Sequence, residues 1–371
     1  MSLKTRLRAG VLRAVAVEQP TLPHRATRGA LALAALGYGA AVRLRSAGYG
    51  LGLLRVHRLP CGVVCVGNLT VGGTGKTPTV ITLARRLTDG GRKVAVLLRG
   101  YGRIGSGVEV VSDGRDLFRD WRWAGDEAVL LAKNLPGVPI VIGGDRMVAG
   151  RLAVQRFGPD TLLLDDGFQH RRLHRDLDLV MLDATDPFGG GRLLPRGRLR
   201  EPVAALLRAH AVILSRTDQA SELAELRRRL EQVIPGTPQV LTRHRPSSLT
   251  DCAGSRGRPL ESLRARRVLA VSGIANPQAF HRTLGDLGAA VVAALAFPDH
   301  HPYDPADLAR VEAAARVAGA ELIVTTEKDA VRMPASASSW PILVLRVDLE
   351  ITEGADSLER LLMPWAGGAR G

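Results

Sequence analysis

Val63-Val64-Cys65-Val66-Gly67-Asn68-Leu69-Thr70-Val71-Gly72-Gly73-Thr74-Gly75-Lys76-Thr77-Pro78 runs from a short apolar stretch, through a glycine-rich turn, into a segment opening with lysine, threonine and proline. The β-branched start suits a buried strand. Backbone N–H groups of such a turn converge on phosphate oxygens, a lysine at position 76 reaches the β- and γ-phosphates, and the hydroxyl after it binds Mg²⁺. Thr70, Val71, Gly72, Gly73, Thr74, Gly75, Lys76 and Thr77 are therefore read as a cradle for the phosphates of ATP, with Thr77 on the metal. Thr70 departs from the usual glycine at the first position. A glycine turn between strand and helix predicts an α/β fold of the P-loop NTPase type.

The surrounding chain fits that fold. Apolar runs rich in Val, Ile and Leu at 62–66, 94–98, 139–142, 161–164, 179–182 and 211–214 alternate with helical stretches, which predicts a parallel sheet covered by helices on both faces. A polar, Pro- and Arg-containing stretch around 235–259 interrupts the pattern and reads as a connection. A second set follows: strands at 268–271, 290–295, 322–325 and 342–347, with helices from Pro277 and from the Asp304-Pro305 pair, where aspartate caps and proline suits the first turn. The expected organisation is a P-loop domain over 1–236, a connection over 237–260, and a second, smaller α/β domain over 261–371.

A P-loop needs a partner acid at the end of a neighbouring parallel strand. Leu162-Leu163-Leu164-Asp165-Asp166 supplies it, with Asp165 as the metal-side carboxylate, although paired acids at a strand end also suit a cap. Guanine recognition needs a lysine where Arg216 stands in Ser215-Arg216-Thr217-Asp218. Partition-type dimerising ATPases need a lysine where Val71 stands. A kinase demands instead a positioned base and an acceptor pocket.

The formal charge of +15 calls for an anionic partner. Residues 1–60 hold ten Lys or Arg against one acid, Glu18. Leu3, Leu7, Val11 and Val15 recur every four residues among arginines, and an uncharged run over 29–42 is bracketed by Arg25, Arg28, Arg43 and Arg45. That run is too short to span a bilayer upright. The expectation is a pair of basic amphipathic helices within 1–58 resting on an anionic membrane surface. A nucleic-acid-stimulated ATPase is the alternative reading of the charge, but 4% aromatic content leaves few stacking platforms, so no nucleic-acid partner is expected, nor an obligate protein partner. Cys61, Cys65 and Cys252 make no disulfide framework and no zinc set.

Further blocks narrow the choice: Arg99-Gly100-Tyr101-Gly102-Arg103, Gly125-Asp126-Glu127, Asp165-Asp166-Gly167-Phe168-Gln169-His170, Leu199-Arg200-Glu201-Pro202, Phe297-Pro298-Asp299-His300 and Thr326-Glu327-Lys328-Asp329-Ala330. With the phosphate loop, and in this order, they resemble the tetraacyldisaccharide 4′-kinase family. The resemblance implies transfer of the ATP γ-phosphoryl group to the 4′-hydroxyl of a tetraacylated disaccharide 1-phosphate, giving lipid IVA in lipid A biosynthesis at the cytoplasmic face of the inner membrane. It implies Asp126 as the base, assisted by His300. Arg99, Tyr101 and Arg146 are expected on the substrate side with Asp166 and Gln169, Gln169 and His170 are also expected to support the acidic loop, and Glu201 is expected beside the metal or nucleotide with Thr77 and Asp165. Asp126 as a helix cap and His300 as an ordinary loop histidine are the competing readings. Arg198 stands where the family commonly has proline.

Overall fold

The computed structural model describes residues 22–252, 257–334 and 340–365. The expected helix carrying Leu3, Leu7, Val11 and Val15 lies outside them. The apolar run at 29–42 belongs to one continuous helix, α1 (Leu22–Gly50). No described helix is long and apolar enough to cross a membrane.

Among the described residues, thirteen strands form one sheet. β1 (Gly62–Asn68) lies at the centre of the first half, flanked by β5 (Thr161–Asp165) and β6 (Leu177–Asp183), and all three run parallel. β2 (Val94–Leu98) and β4 (Ile140–Ile142) extend the sheet beyond β5, and β7 (Ala211–Ser215) extends it beyond β6, again in parallel. Helices α2 (Lys76–Asp89), α3 (Trp121–Ala124), α4 (Asp126–Asn134), α5 (Arg146–Phe157) and α6 (Leu223–Val233) belong to this half. Alternate residues of β1 enter different cores: Val64 and Val66 pack with Leu83, Val96 and Ile140, while Val63 and Cys65 pack with Leu97, Leu162 and Leu164. A strand buried on both faces reads as an unbroken apolar run, which is why these strands were visible in the sequence.

Two features were not expected. Glu109–Ser112 forms β3, an antiparallel edge strand on β4 whose four residues carry little apolar signal. The stretch predicted as a connection contains β8 (Gln239–Asp251), thirteen residues long. Its start pairs parallel with β7, and the rest pairs antiparallel with β13 (Ile342–Glu353). Arg243, Arg245 and Pro246 made it look like a loop, but Val240 and Leu241 are buried while alternate later residues face solvent. This half-exposed alternation belongs to an antiparallel ribbon. The expected boundary is therefore crossed by hydrogen-bonded sheet.

Beyond that ribbon the order is β12 (Leu322–Thr326), β10 (Arg267–Ser272) and β11 (Ala290–Ala296), all parallel, with a two-residue β9 (Gly257–Arg258) pairing on β8. Because β13 and β8 are antiparallel, the parallel strands of the two halves run in opposite senses. Helices α7 (Pro277–Asp286) and α8 (Pro305–Ala318) cover this half, α9 (Glu327–Ala330) follows β12, and α10 (Ala355–Leu362) follows β13. Asp304 caps α8 as expected, accepting from the Asp307 N–H, with proline in the first turn.

Candidate active site

The sharp turn out of β1 leaves the Gly72–Gly75 loop held by the ends of neighbouring strands. Asn68, the buried last residue of β1, donates to the Thr70 carbonyl at 2.7 Å and the Thr74 hydroxyl at 3.2 Å. Ser215, closing β7, donates to the Thr74 carbonyl at 2.9 Å, and Arg216 to the Gly73 carbonyl at 3.2 Å. Gly75 has φ +85°, and a Cβ there would stand 2.8 Å from the His244 ring. Only glycine fits both the conformation and the space. Gly75 also leaves the α2 N-terminus without a side-chain cap, so its free N–H groups and dipole remain available to an anion.

Lys76 Nζ lies 3.6 Å from Asp166 Oδ1. Asp166 has φ +54°, uncommon for a residue with a side chain, and Arg200 Nη1 donates to both its oxygens at 2.8 Å. Burial pushes its carboxyl up, but Lys76 and Arg200 outweigh this and hold it below the usual carboxylate range. Asp166, expected toward the acceptor, thus belongs to the phosphate loop's own charge network. Gln169 does likewise: its amide donates to the Asn68 carbonyl at 2.9 Å and its oxygen accepts from Arg200 at 3.3 Å.

Asp165 is buried, with Oδ1 unpartnered. Burial and the nearby Glu127 charge push its carboxyl up to about 7, against the pull of Lys76. An unsatisfied buried carboxylate oxygen beside a phosphate loop fits a divalent cation, whose charge would hold it ionised. Glu201 lines the same cavity, its carboxylate accepting from Arg208 at 2.8 Å, and no group of three or more His, Cys, Asp or Glu side chains suited to a metal occurs among the described residues. Thr77, Asp165 and Glu201 stay candidate donors, few enough for Mg²⁺, which keeps waters and phosphate oxygens as its other ligands.

Across a cavity of about 1170 Å³, whose wall includes Lys76, Asp165, Arg99, Tyr101 and Arg146, the second half contributes His300. Its Nδ1 lies 2.9 and 3.1 Å from the two oxygens of Asp126. Asp126 opens α4 and is 4% exposed. It accepts from the Glu127 N–H at 2.9 Å, so it is both a helix-terminal acid and the partner of a histidine 174 residues away in sequence. Arg332 Nε is 3.5 Å from its other oxygen. Burial raises the Asp126 carboxyl, but the His300 hydrogen bond, Lys328 and Arg332 together hold it below its ordinary value. Gly125 before it has φ +88°, and a Cβ there would lie 2.8 Å from the Tyr101 carbonyl, so glycine lets the 99–103 loop close onto the start of α4.

The rim residues separate. Arg99 and Tyr101 are exposed, and the Tyr101 ring lies 5.5 Å from that of His300. Arg146 is 3% exposed and donates to the carbonyls of Gly143 at 3.0 Å and Gly144 at 3.3 Å, with Nε unpartnered. Burial lowers its pKa, and the neighbouring Asp166 opposes that.

A sequence profile described as tetraacyldisaccharide-1-P 4′-kinase matches residues 27–365. The chain belongs to this family. It is 49% identical over 336 residues to a tetraacyldisaccharide 4′-kinase of Anaeromyxobacter sp. strain K, covering 90% of this chain and 89% of that one. The corresponding protein of Syntrophus aciditrophicus is 43% identical, with 88% and 90% covered. Among solved structures, the Aquifex aeolicus family member LpxK, crystallised in complex with ATP, superposes with a TM-score of 0.73 at 32% identity, over 92% of this chain and 99% of that one. A P-loop NTPase architecture extended by a second α/β half is thus the family's arrangement, in keeping with the fold class expected from the sequence.

Lys328 and Arg332, both absent from the expected site residues, stand next to the Asp126–His300 pair. Lys328 lay in a motif already noted. Arg332 carried no separate signal, because an arginine one turn past a short helix looks like any surface cation until it is seen to be 1% exposed.

Proposed function

We propose that this chain transfers the γ-phosphoryl group of ATP to the 4′-hydroxyl of a tetraacylated disaccharide 1-phosphate, with Asp126 as the base. The observation carrying this reading is that one cleft is lined both by a lysine-bearing phosphate loop and by a histidine from the opposite half whose ring meets the buried carboxylate of Asp126 just behind the wall. Lys76 and the N–H groups of Gly73 to Thr77 would bind the β- and γ-phosphates. Thr77 and Asp165 would hold Mg²⁺, which supplies charge neutralisation on the phosphate oxygens. Asp126 accepts the hydroxyl proton as the 4′-oxygen bonds to the γ-phosphorus and ADP leaves. Arg99, exposed on the rim, suits the 1-phosphate through its planar fork. Arg146 also lines this cavity, with its Nε unpartnered.

The acceptor's acyl chains would stay in the bilayer, at the cytoplasmic face of the inner membrane. One side of α1 is tied to the site: the Tyr38 hydroxyl donates to the Arg200 carbonyl at 2.9 Å, Arg45 to the Gln169 carbonyl at 3.1 Å, and Arg171 returns a bond to the Ser46 hydroxyl at 2.8 Å. Leu33, Leu36 and Leu44 of the same helix are about 70% exposed, as are Leu51 and Leu53 just after it. Exposed leucines on a basic helix anchored beside the cleft favour peripheral lipid contact. The decisive test is incubation with labelled ATP, Mg²⁺ and the tetraacyldisaccharide 1-phosphate in detergent micelles. Appearance of the bisphosphorylated lipid supports the reading, and its absence with folded protein refutes it.

A further inference from the structure

The Asp126–His300 pair has two possible proton arrangements, and a neighbour chooses between them. His300 Nδ1 faces Asp126, while Nε2 faces Lys328 Nζ at 3.3 Å. An ammonium group has three N–H donors and no acceptor. A contact between Lys328 and Nε2 therefore requires a lone pair on Nε2, which puts the ring proton on Nδ1, pointing at Asp126. We infer that Lys328 fixes His300 as the Nδ1–H tautomer, making the histidine an orienting donor to the base and not the acceptor of its proton. This rests on Asp126 being the base. The proton taken from the sugar hydroxyl then stays on the Asp126 carboxyl while the new O–P bond forms and the bond to the ADP oxygen breaks, because Nδ1 already carries its hydrogen.

The surroundings are built for this. Lys328 is oriented by acids from both halves: Asp299 Oδ1 at 3.2 Å and Glu127 Oε1 at 4.0 Å. The Thr326 side chain caps the short α9 that carries it. His300 has φ +61°, an unusual conformation that directs its ring back between Asp126 and Lys328. The other charged groups facing the pair are Arg332, 3.5 Å from Asp126, and the second Asp299 oxygen, 3.7 Å from Nε2. Asp299 alone would favour a proton on Nε2, and the closer Lys328 opposes it. Lys328 is thus a positioning residue, reaching the reaction only through His300 and Asp126.

Nitrogen NMR of the full-length protein with ¹⁵N-labelled histidine reads the tautomer without turnover, with His300 assigned by its loss in His300→Gln. The expected wild-type spectrum has Nδ1 protonated and Nε2 unprotonated. In Lys328→Met, Nε2 should gain a proton from the field of Asp299, and in Lys328→Arg it should stay bare, since arginine also only donates. With labelled ATP and lipid acceptor, Lys328→Met should lose about 10- to 100-fold in kcat with the KM for ATP within twofold, and its acid limb should move to higher pH, because a cation favouring ionised Asp126 is gone. Lys328→Arg should restore most of the rate. A protonated Nε2 in the wild type, or a bare Nε2 in Lys328→Met, overturns the inference whatever the activity. If no lipid is phosphorylated but the tautomer follows the substitutions, the functional reading fails while the assignment of Lys328 stands.

Discussion

The phosphate loop and the Asp126–His300 pair are assembled in different ways. The loop's functional groups lie within eight consecutive residues, and the chain's path out of β1 delivers them together, with Asn68, Ser215 and Arg216 bracing the backbone. The proton-handling cluster instead draws Asp126 from the start of α4, His300 from the loop after β11, and Lys328 and Arg332 from around α9. The first is local geometry, pre-formed whenever the P-loop half folds. The second exists only while the halves stay in register, so it is open to disruption at a distance.

The largest expected effect lies in the local element. Lys76→Ala should lower phosphoryl transfer by at least ~10³-fold, roughly 4 kcal/mol of transition-state stabilisation, since a charge on the transferring group's oxygens is lost outright. Its one ion pair among the described residues, to Asp166, is shared with Arg200, so the melting temperature should change little. Unimpaired turnover would remove the loop from the mechanism.

Asp126→Asn should cost less, about 10²- to 10³-fold, the usual range for a positioned base. ATP affinity measured by calorimetry should stay within a few-fold, because Asp126 faces His300 and Arg332 and not Lys76. An unchanged rate would return Asp126 to the helix-terminal role that its sequence position also suits.

This contrast explains what could be read from the chain. Consecutive motifs and fully buried parallel strands leave dense local signals, so the phosphate loop, Asp165 and the strands on either side were legible. Strand ends were read short because Asn68, Asp165 and Ser215 are polar, although all three are buried and continue the sheet into the site. β8 was missed for the opposite reason: its second half is solvent-facing on alternate residues, and its arginines imitate a loop. Asp166 was assigned to the acceptor, because residue type shows that a group can bind a sugar or phosphate but not which neighbour it meets first, while Gln169 was read both toward the acceptor and as a support of the acidic loop. Glu201 was placed at the metal on the same ground, and the neighbour it meets here is Arg208. The pairing of Asp126 with His300 was expected through the family resemblance; spacing alone carries no trace of a contact between residues so far apart.

If the cluster depends on register between halves, a latch that touches neither Asp126 nor His300 should matter. Arg346 of β13 pairs with Glu327 at 3.0 Å and also bonds Asn134, whose amide donates to Glu327 at 3.3 Å. Asn134 ends the helix that Asp126 begins, and Glu327 begins the helix that carries Lys328. Arg346→Ala should reduce kcat by about 3- to 10-fold, with Lys76-dependent ATP binding unchanged. The stability loss should be about 1–2 kcal/mol, since the pair is partly screened and Glu327, already raised by burial, can take up a proton once the arginine is gone. A reduced ATP affinity with normal kcat would mean that the latch supports the nucleotide side and not the register.

The smallest effect is expected where neither element is touched. Leu33→Glu with Leu36→Glu alters side chains about 70% exposed, on the helix whose Tyr38 and Arg45 contacts hold it beside the cleft. Each substitution removes apolar area available to a bilayer and adds a charge repelled by an anionic surface, and each basic residue near such a surface is worth only about 1 kcal/mol. Binding to vesicles containing anionic lipid should therefore weaken by roughly 5- to 20-fold, while kcat on acceptor in detergent micelles stays as in the wild type. Unaltered vesicle binding would mean that these leucines are not what meets the lipid. A fall in micellar kcat would mean that α1 shapes the acceptor site directly, making it a third contributor to a cleft otherwise divided between the two halves.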